Sequence, residues 1–548
     1  MSCPFRLGVW AAGLVALAGC DHASSSGADA GDEGGGEPRV VASAPAAPAF
    51  DTELEACDAR WKALEKEAAD PGAPGLDARR VAILGRARGP ALLWSRAPDL
   101  TKDLPPPAVA ALARLDKTPP GIRVAKLRAE LKRTPAVLRA ALLREGYAYA
   151  EDPEDAYEVA QNVALTDLFD EPEIVLERGA LREKLVRAKV YREWRYEYAD
   201  GPRKGRAAQL LFGDRVALSA ASLAAPLHLD VGSFADDAGF DRVTPIRVTA
   251  RGILAEVRIA PAGRKVHAVV DRDGATMRFG CFVAPRETRE AIASALAEDA
   301  WRRRSIASMR AAIDETVNDA LPFDRPRGFE GPDRDGELRP HWASAYARGR
   351  QGFEVDGEAY PVFLPDGRPF PPTVCVDFVL DTWERASGSW FRPRGERPGR
   401  TTGRLDFDDE GIENRRGVLG FGAFASDRKD LFDMRKLAGA ERVPFAERDR
   451  FFAGLVKGAD VADPFRPGDV LAIQGLKRDD RVHQHAILVE SVDPITGMPS
   501  GLADQMKRPR RRTWEGIMRE APKRSLLFRA RPTRALFERL APKDDLAK

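Results

Sequence analysis

The chain is 548 residues long, 44% hydrophobic and 31% charged, with 86 Lys and Arg against 84 Asp and Glu. One hydrophobic core does not serve a chain of that length, so two or three domains joined by linkers are expected, each large enough to bury a core. The near-balanced charge, a net +2, argues against global disorder and gives a nucleic-acid partner no electrostatic footing.

Arg6 followed by the apolar run Leu7 to Leu17 reads as a signal segment over residues 1–19, too short to span a bilayer comfortably as a mature helix. Leu17-Ala18-Gly19-Cys20 resembles the bacterial lipobox, which implies cleavage before Cys20 and lipidation of that residue. The mature chain is then expected to be tethered to a membrane through Cys20 and to face the periplasm or the cell exterior. Asp21 resembles an inner-membrane retention signal of enteric bacteria, a rule that varies between bacteria, so the choice of membrane stays open. Residues 20–49, rich in Ser, Gly, Ala and Pro, read as a flexible tether.

Residues 50–204 read as a helical domain. Leu54, Trp61 and Leu64 recur at helical spacings, Val137 to Leu143 form an apolar stripe, and Pro105-Pro106-Pro107 and Pro119-Pro120 cut the pattern into short segments. Residues 205–325 read as a β-rich α+β region, with strand-like runs at Ile246 to Thr249, Ala255 to Ile259, Val266 to Val270 and Met277 to Val283, and a hairpin turn at Asp273-Gly274. His267 is read as a strand residue rather than a ligand. A helix over 287–321 leads into a last domain over 326–535, followed by a tail at 536–548. The fold class is therefore α+β and multidomain.

Of the five cysteines, Cys3 leaves with the signal segment and Cys20 carries lipid, so Cys57, Cys281 and Cys375 remain. An odd count in an oxidising compartment leaves at least one free thiol in a chain not joined to another. Cys57 and Cys281 are able to pair if their geometry allows.

Cys375 has the surroundings of a reactive thiol. It follows Pro369-Phe370-Pro371-Pro372, and Val376, Val379, Leu380 and Trp383 fit one buried face of a helix that begins beside it. A thiol in the first turn of a helix meets the positive end of the peptide dipoles, and the same N–H groups are placed to receive an oxyanion. The partner such a thiol needs is an imidazole, and the histidines that follow it are His483 and His485, at the start of the run His485-Ala486-Ile487-Leu488-Val489. Pro467-Gly468-Asp469-Val470-Leu471-Ala472-Ile473 reads as the neighbouring strand. Alternation puts both histidines on one side of their strand.

A helix opening with Cys, then a Gly-Asp-hydrophobic strand, then His-Ala-Ile-Leu-Val on the next strand, resembles the NlpC-type papain-like superfamily of bacterial cell-wall peptidases and amidases, which includes the CHAP amidases. The likeness covers roughly residues 330 to 535. It implies Cys375 as nucleophile, His485 as base, and a polar residue on the next strand that orients the imidazole: Asp504, or alternatively Gln505. Two features depart from the pattern. The common Asp-Cys-Ser-Gly motif is absent, Cys375-Val376-Asp377 being similar to a branch that reads Cys-Thr-Asp, and residues 388–445 look like an insertion that covers or shapes the cleft.

The resemblance implies hydrolysis of an amide or peptide bond, with peptidoglycan as the expected partner. The alternatives are an inactive envelope binding or scaffold lipoprotein, or a thiol-dependent acyltransferase or esterase. The run Lys507 to Arg512 reads either as an anion site or as a solvated turn. Without an HExxH, paired CxxC or glycine-rich phosphate motif, no metal or cofactor is expected.

Overall fold

Asp51 opens the first helix, α1 (Thr52–Glu65), by accepting the Leu54 N–H at 3.2 Å, which satisfies one of the donors that a helix start leaves unpaired. The computed structural model describes residues 51–70, 91–93, 148–150 and, with short interruptions, 164–540, the longest interruptions being 221–230, 325–335 and 452–464. The signal segment, Cys20, the tether, the proline-rich breaks, the stripe from Val137 to Leu143 and residues 541–548 lie outside the described residues.

Strands β1 (Ala91–Leu93) and β2 (Ala148–Ala150) pair antiparallel. After the short helix α2 (Leu165–Leu168) come β3 (Glu173–Arg178), β4 (Leu181–Val190), β5 (Glu193–Tyr198) and β6 (Arg215–Ala217), in the sheet order β5-β4-β3-β6. Over 173–198 this corrects the helical reading of 50–204, whereas α1 is helical as expected. Ile174 and Leu176 are buried two apart, as are Tyr196 and Tyr198, and that period of two suits a pleated face, not a helical one.

Helix α3 (Val231–Ala238) precedes an antiparallel meander of β7 (Phe240–Val248), β8 (Gly252–Ile259), β9 (Arg264–Asp273) and β10 (Thr276–Phe282), so the strand-like runs read from sequence fall on strands, with Thr249 and Val283 just past the ends of β7 and β10. On one face Ile253, Ala255, Val257, Val266, Ala268 and Val270 pack with Phe234 of α3 and with Ile292 of α4 (Arg286–Glu298). On the other face Leu254 and Val269 meet Cys57, Trp61 and Leu64 of α1. His267 is indeed a strand residue; its ring stacks on Trp61 at 4.9 Å. Cys57 and Cys281 are disulfide-bonded, which fastens α1 to β10.

The single helix expected over 287–321 is two, α4 and α5 (Ala300–Asp319), joined at Asp299. α5 already belongs to the last layer. There α6 (Leu338–Ala347), the hairpin β11 (Gly352–Val355) and β12 (Glu358–Pro361), and α7 (Cys375–Ala386) precede β13 (Trp390–Phe391), β14 (Arg400–Thr401) and α8 (Val418–Asp427). Then follow β15 (Phe432–Lys436), β16 (Val470–Leu476), β17 (Val482–Val492), β18 (Pro499–Gln505), β19 (Pro509–Arg512), β20 (Arg524–Pro532) and α9 (Arg534–Leu540). The six strands form one antiparallel sheet in the order β15-β20-β16-β17-β18-β19.

Alternation along these strands builds two cores. Val470, Ala472, Ala486, Leu488 and Ala503 meet Ile313 of α5, Val379 and Trp383 of α7, and Phe537 of α9. Leu471, Ile473, Ile487, Val489 and Leu502 meet Phe445, Trp514 and Met518. The alanines on the helical side allow the helix backbones a close approach, as dense packing requires.

Two sequence boundaries shift accordingly. The expected tail contains most of α9, whose Leu536, Phe537 and Leu540 are buried, and the apparent insertion over 388–445 supplies the edge strand β15 and the core helix α8. The turn between β17 and β18 enters the core beneath the central meander through Ile495, with the Val243 N–H on the Pro494 carbonyl at 2.9 Å and Arg242 on the Ile495 carbonyl at 3.0 Å. From Asp51 onward the described residues form one compact unit.

The cysteines of the disulfide are separated by 224 positions, a closed loop long enough for the cross-link to stabilise by up to about 5 kcal/mol. Because α1 brings so small an apolar patch of its own, reduction, or the paired change Cys57→Ser and Cys281→Ser, is expected to lower the melting temperature and to expose α1 amides first. Calorimetry combined with hydrogen exchange checks this.

Candidate active site

Pro371 and Pro372 bias the backbone before Cys375 toward extended conformations. The segment is fixed there by a parallel bridge in which the Thr373 N–H donates to the Pro322 carbonyl at 2.9 Å and the Asp324 N–H to the Thr373 carbonyl at 3.0 Å. Val374, also extended, is the N-cap of α7 and has no side-chain oxygen with which to cap. Asp377, in the first turn, reaches back to accept the Val374 N–H at 3.0 Å, which is half of a capping box. Its carboxylate also complements the helix dipole. Cys375 is thus the first residue of the helix, half-buried and a free thiol.

α7 is buried nearly all round, and it carries three buried carboxylates, Asp377, Asp381 and Glu384. Their spacing puts them along one stripe of the helix. Isolated anions at such depth cost several kcal/mol each, and arginines from outside the helix neutralise them. Arg416 bridges Asp377 at 2.9 Å and Asp324 at 2.7 Å. Arg415 reaches Asp381 at 2.8 Å and Glu384 at 2.7 Å, joined by Arg339 on Asp381 at 3.1 Å and Arg400 on Glu384 at 2.6 Å. Burial pushes the Asp381 carboxyl up, but Arg339 and Arg415 outweigh it and hold it at about 2.

The sequence reading missed this network. Its signal was there in the acids of α7 at helical spacing and the arginines of the 388–445 stretch, which read as insertion. Those arginines brace the helix that carries the thiol.

His485 lies on β17 opposite Ile473 of β16, 2% exposed. Its Nε2 meets the Asp504 carboxylate at 2.8 Å. Cys375 also acts on this ring, first through its charge and then through a side-chain hydrogen bond. Burial lowers the affinity of the imidazole for a proton; the negative charge of Cys375 and the bonded Asp504 overcome this and raise its pKa to about 9. His483 stacks beside it with ring centroids 6.2 Å apart.

Asp504 is fully buried on β18. Besides His485 it binds Arg512 at 2.7 Å and Arg510 at 3.1 Å, and although burial opposes ionisation these cations hold its carboxyl well below the usual range. Gln505, the other candidate orienter, donates instead to the Leu321 carbonyl at 3.2 Å. The structure therefore brings Cys375, His485 and Asp504 together and turns Gln505 elsewhere.

Within the basic run, Arg510 and Arg512 serve Asp504, while Arg511 binds Glu490 and Asp314, each at 2.6 Å. Neither an anion site nor a solvated turn describes these three residues. Lys507 and Arg508 lie outside the described residues. Among the described residues no group of three His, Cys, Asp or Glu side chains is placed to hold a metal ion.

Compared with protein-family models, with curated proteins and with solved structures, the chain matches none.

The raised pKa of His485 fixes the sign of its linkage to stability. Its contribution, on the order of 3 kcal/mol, is complete below about pH 6.5 and is lost as pH rises through about 9. Asp381 acts in the opposite sense: its contribution is present above about pH 4 and is lost as pH falls through about 2. Histidine-selective NMR is expected to place the His485 midpoint near 9 and to find it lowered in Cys375→Ala. In Arg415→Ala, two buried carboxylates lose a partner, for an expected loss of about 3–5 kcal/mol in chemical denaturation at neutral pH.

Proposed function

We propose that this chain is an envelope-anchored thiol hydrolase that cleaves an amide or peptide bond, with Cys375 as nucleophile, His485 as general base and acid, and Asp504 as the residue that orients the imidazole. One observation carries the reading: a free thiol at a helix start acts electrostatically on an imidazole whose Nε2 is 2.8 Å from a buried carboxylate. Nucleophile, base and orienter in that order are what thiol catalysis requires.

In the proposed reaction the Cys375 sulfur attacks the carbonyl carbon and forms a C–S bond. The carbonyl oxygen takes up the electron pair opposite the N–H groups of the first turn of α7. The C–N bond then breaks as the His485 imidazolium gives its proton to the leaving amine. Water, deprotonated by the now neutral His485, attacks the thioester, and the acid product leaves with Cys375 restored.

Peptidoglycan stem peptides are the proposed substrate, through the likeness of the motifs to the NlpC-type superfamily and through the lipobox-like segment that ends at Cys20. The Cys57–Cys281 disulfide supports an oxidising compartment outside the cytoplasm, in keeping with a mature chain tethered to the membrane by lipid on Cys20. Among the described residues no helix is long and apolar enough to cross a membrane.

With Cys57 and Cys281 paired, Cys375 is the free thiol among the described residues, so alkylation reports on it cleanly. Iodoacetamide is expected to label Cys375 selectively and with a pH dependence, and His485→Ala to slow labelling by about 10²-fold at neutral pH. Sluggish labelling that is indifferent to His485 would favour an inactive scaffold. On purified sacculi, Cys375→Ala is expected to lower release of peptide fragments by at least about 10³-fold. Mass spectrometry of the products separates hydrolysis from acyl transfer or esterase action.

A further inference from the structure

Asp504 has more cationic partners than a carboxylate needs to point an imidazole. Oδ2 is shared between His485 Nε2 at 2.8 Å and Arg512 Nη1 at 2.7 Å, and Oδ1 takes Arg510 Nε at 3.1 Å. Arg512 has a side chain only 2% exposed and Arg510 one 11% exposed, so solvent screens neither strongly.

The geometry of β19 fixes both. Residues 510 and 512 project to one side of the strand toward Asp504, their registers being Asp504↔Arg510 and Leu502↔Arg512. Arg511 projects to the other side and is tied to Glu490 of β17 and Asp314 of α5. The strand is thereby pinned by ion pairs on both sides. One carboxylate faces two guanidinium groups, a local excess of positive charge directly behind the imidazole.

We infer that Arg512, seconded by Arg510, is a positioning residue that draws off the charge of Asp504, so that the carboxylate orients the His485 ring without holding its proton fast. The inference rests on the proposed thiol chemistry, in which His485 must release a proton to the leaving amine. A bare buried carboxylate on Nε2 would bind that proton too tightly for efficient transfer, because acid catalysis works best when the pKa lies near the working pH. The second guanidinium also keeps Asp504 ionised and in place when either arginine is changed.

Among the described residues, the charged and titratable groups that bear on the imidazole are Cys375 of α7, His483 of β17, Asp504 of β18, and Arg510 and Arg512 of β19. Removing one cation from this set has a definite sign. In Arg512→Gln the His485 midpoint, followed by histidine-selective NMR, is expected to rise by about one pH unit, and the acid limb of Cys375 alkylation by iodoacetamide is expected to move up with it. Arg512→Lys keeps the charge and is expected to restore the wild-type midpoint.

A purely structural role would lower the melting temperature and leave both titrations where they were; that result, or a downward shift, overturns the inference. If Arg512→Gln does not fold, Arg510→Gln, at the more exposed position, is expected to show the same upward shift at smaller size, and no shift there overturns the inference equally. Failure of the underlying chemistry looks different: wild-type Cys375 then alkylates no faster than His485→Ala at any pH.

Discussion

The structure turns on the burial of α7. A helix that starts with the candidate nucleophile is enclosed on nearly every side, yet it carries Asp377, Asp381 and Glu384 inward. Charge at that depth is tolerated only with partners in good geometry, so the chain after α7 must return Arg400, Arg415 and Arg416 to it, and α6 must supply Arg339. Satisfying those carboxylates fixes the path of residues 388–416 and leaves the helix little freedom to tilt or slide. Cys375 is placed by this constraint as much as by its own surroundings.

A second set of buried charges does the same for the other half of the site. Asp504 lies between His485 on one side and Arg510 and Arg512 on the other, and β19 is held in turn by Arg511 through Glu490 and Asp314. Asp314 belongs to α5, which packs in the same core as α7. The thiol-bearing helix and the imidazole-bearing strand therefore share a support, and a half-buried sulfur meets a ring that has nowhere else to turn. The central meander adds a further hold by taking Ile495 into its core, at the far end of the hairpin that presents His485 and Asp504.

What was legible in the chain was whatever depends on local period. The run Ala255 to Ile259 alternates apolar and polar residues, Val266 to Val270 is rich in β-branched valine, and both became strands; Val376, Val379, Leu380 and Trp383 recur with helical spacing and became the buried face of α7. Residues 173–198 were misread because short runs such as Glu173 to Arg178 sit among charged residues that suit either element, and only pairing with neighbouring strands decides for a sheet. The break at Asp299 and the helix at Arg534–Leu540 were likewise invisible, since both depend on what the segments pack against.

The sequence by itself determined the chemistry on offer: a cysteine after a proline-rich segment, two histidines opening an apolar strand, and one acid and one amide on the strand that follows. It could not choose between Asp504 and Gln505, because neighbours on a strand point to opposite sides and the side that matters is set by register with β17 and β19. Nor could it tell that the arginines at 510–512 would be consumed internally, or that those at 400, 415 and 416 would neutralise a helix well before them in the chain. Such pairings join residues on different strands, helices and loops, from 6 positions apart for Arg510 and Asp504 to 197 for Arg511 and Asp314, so no local period leaves a trace of them. Only the tertiary structure brings the charges to each other, and with them the sulfur to the imidazole.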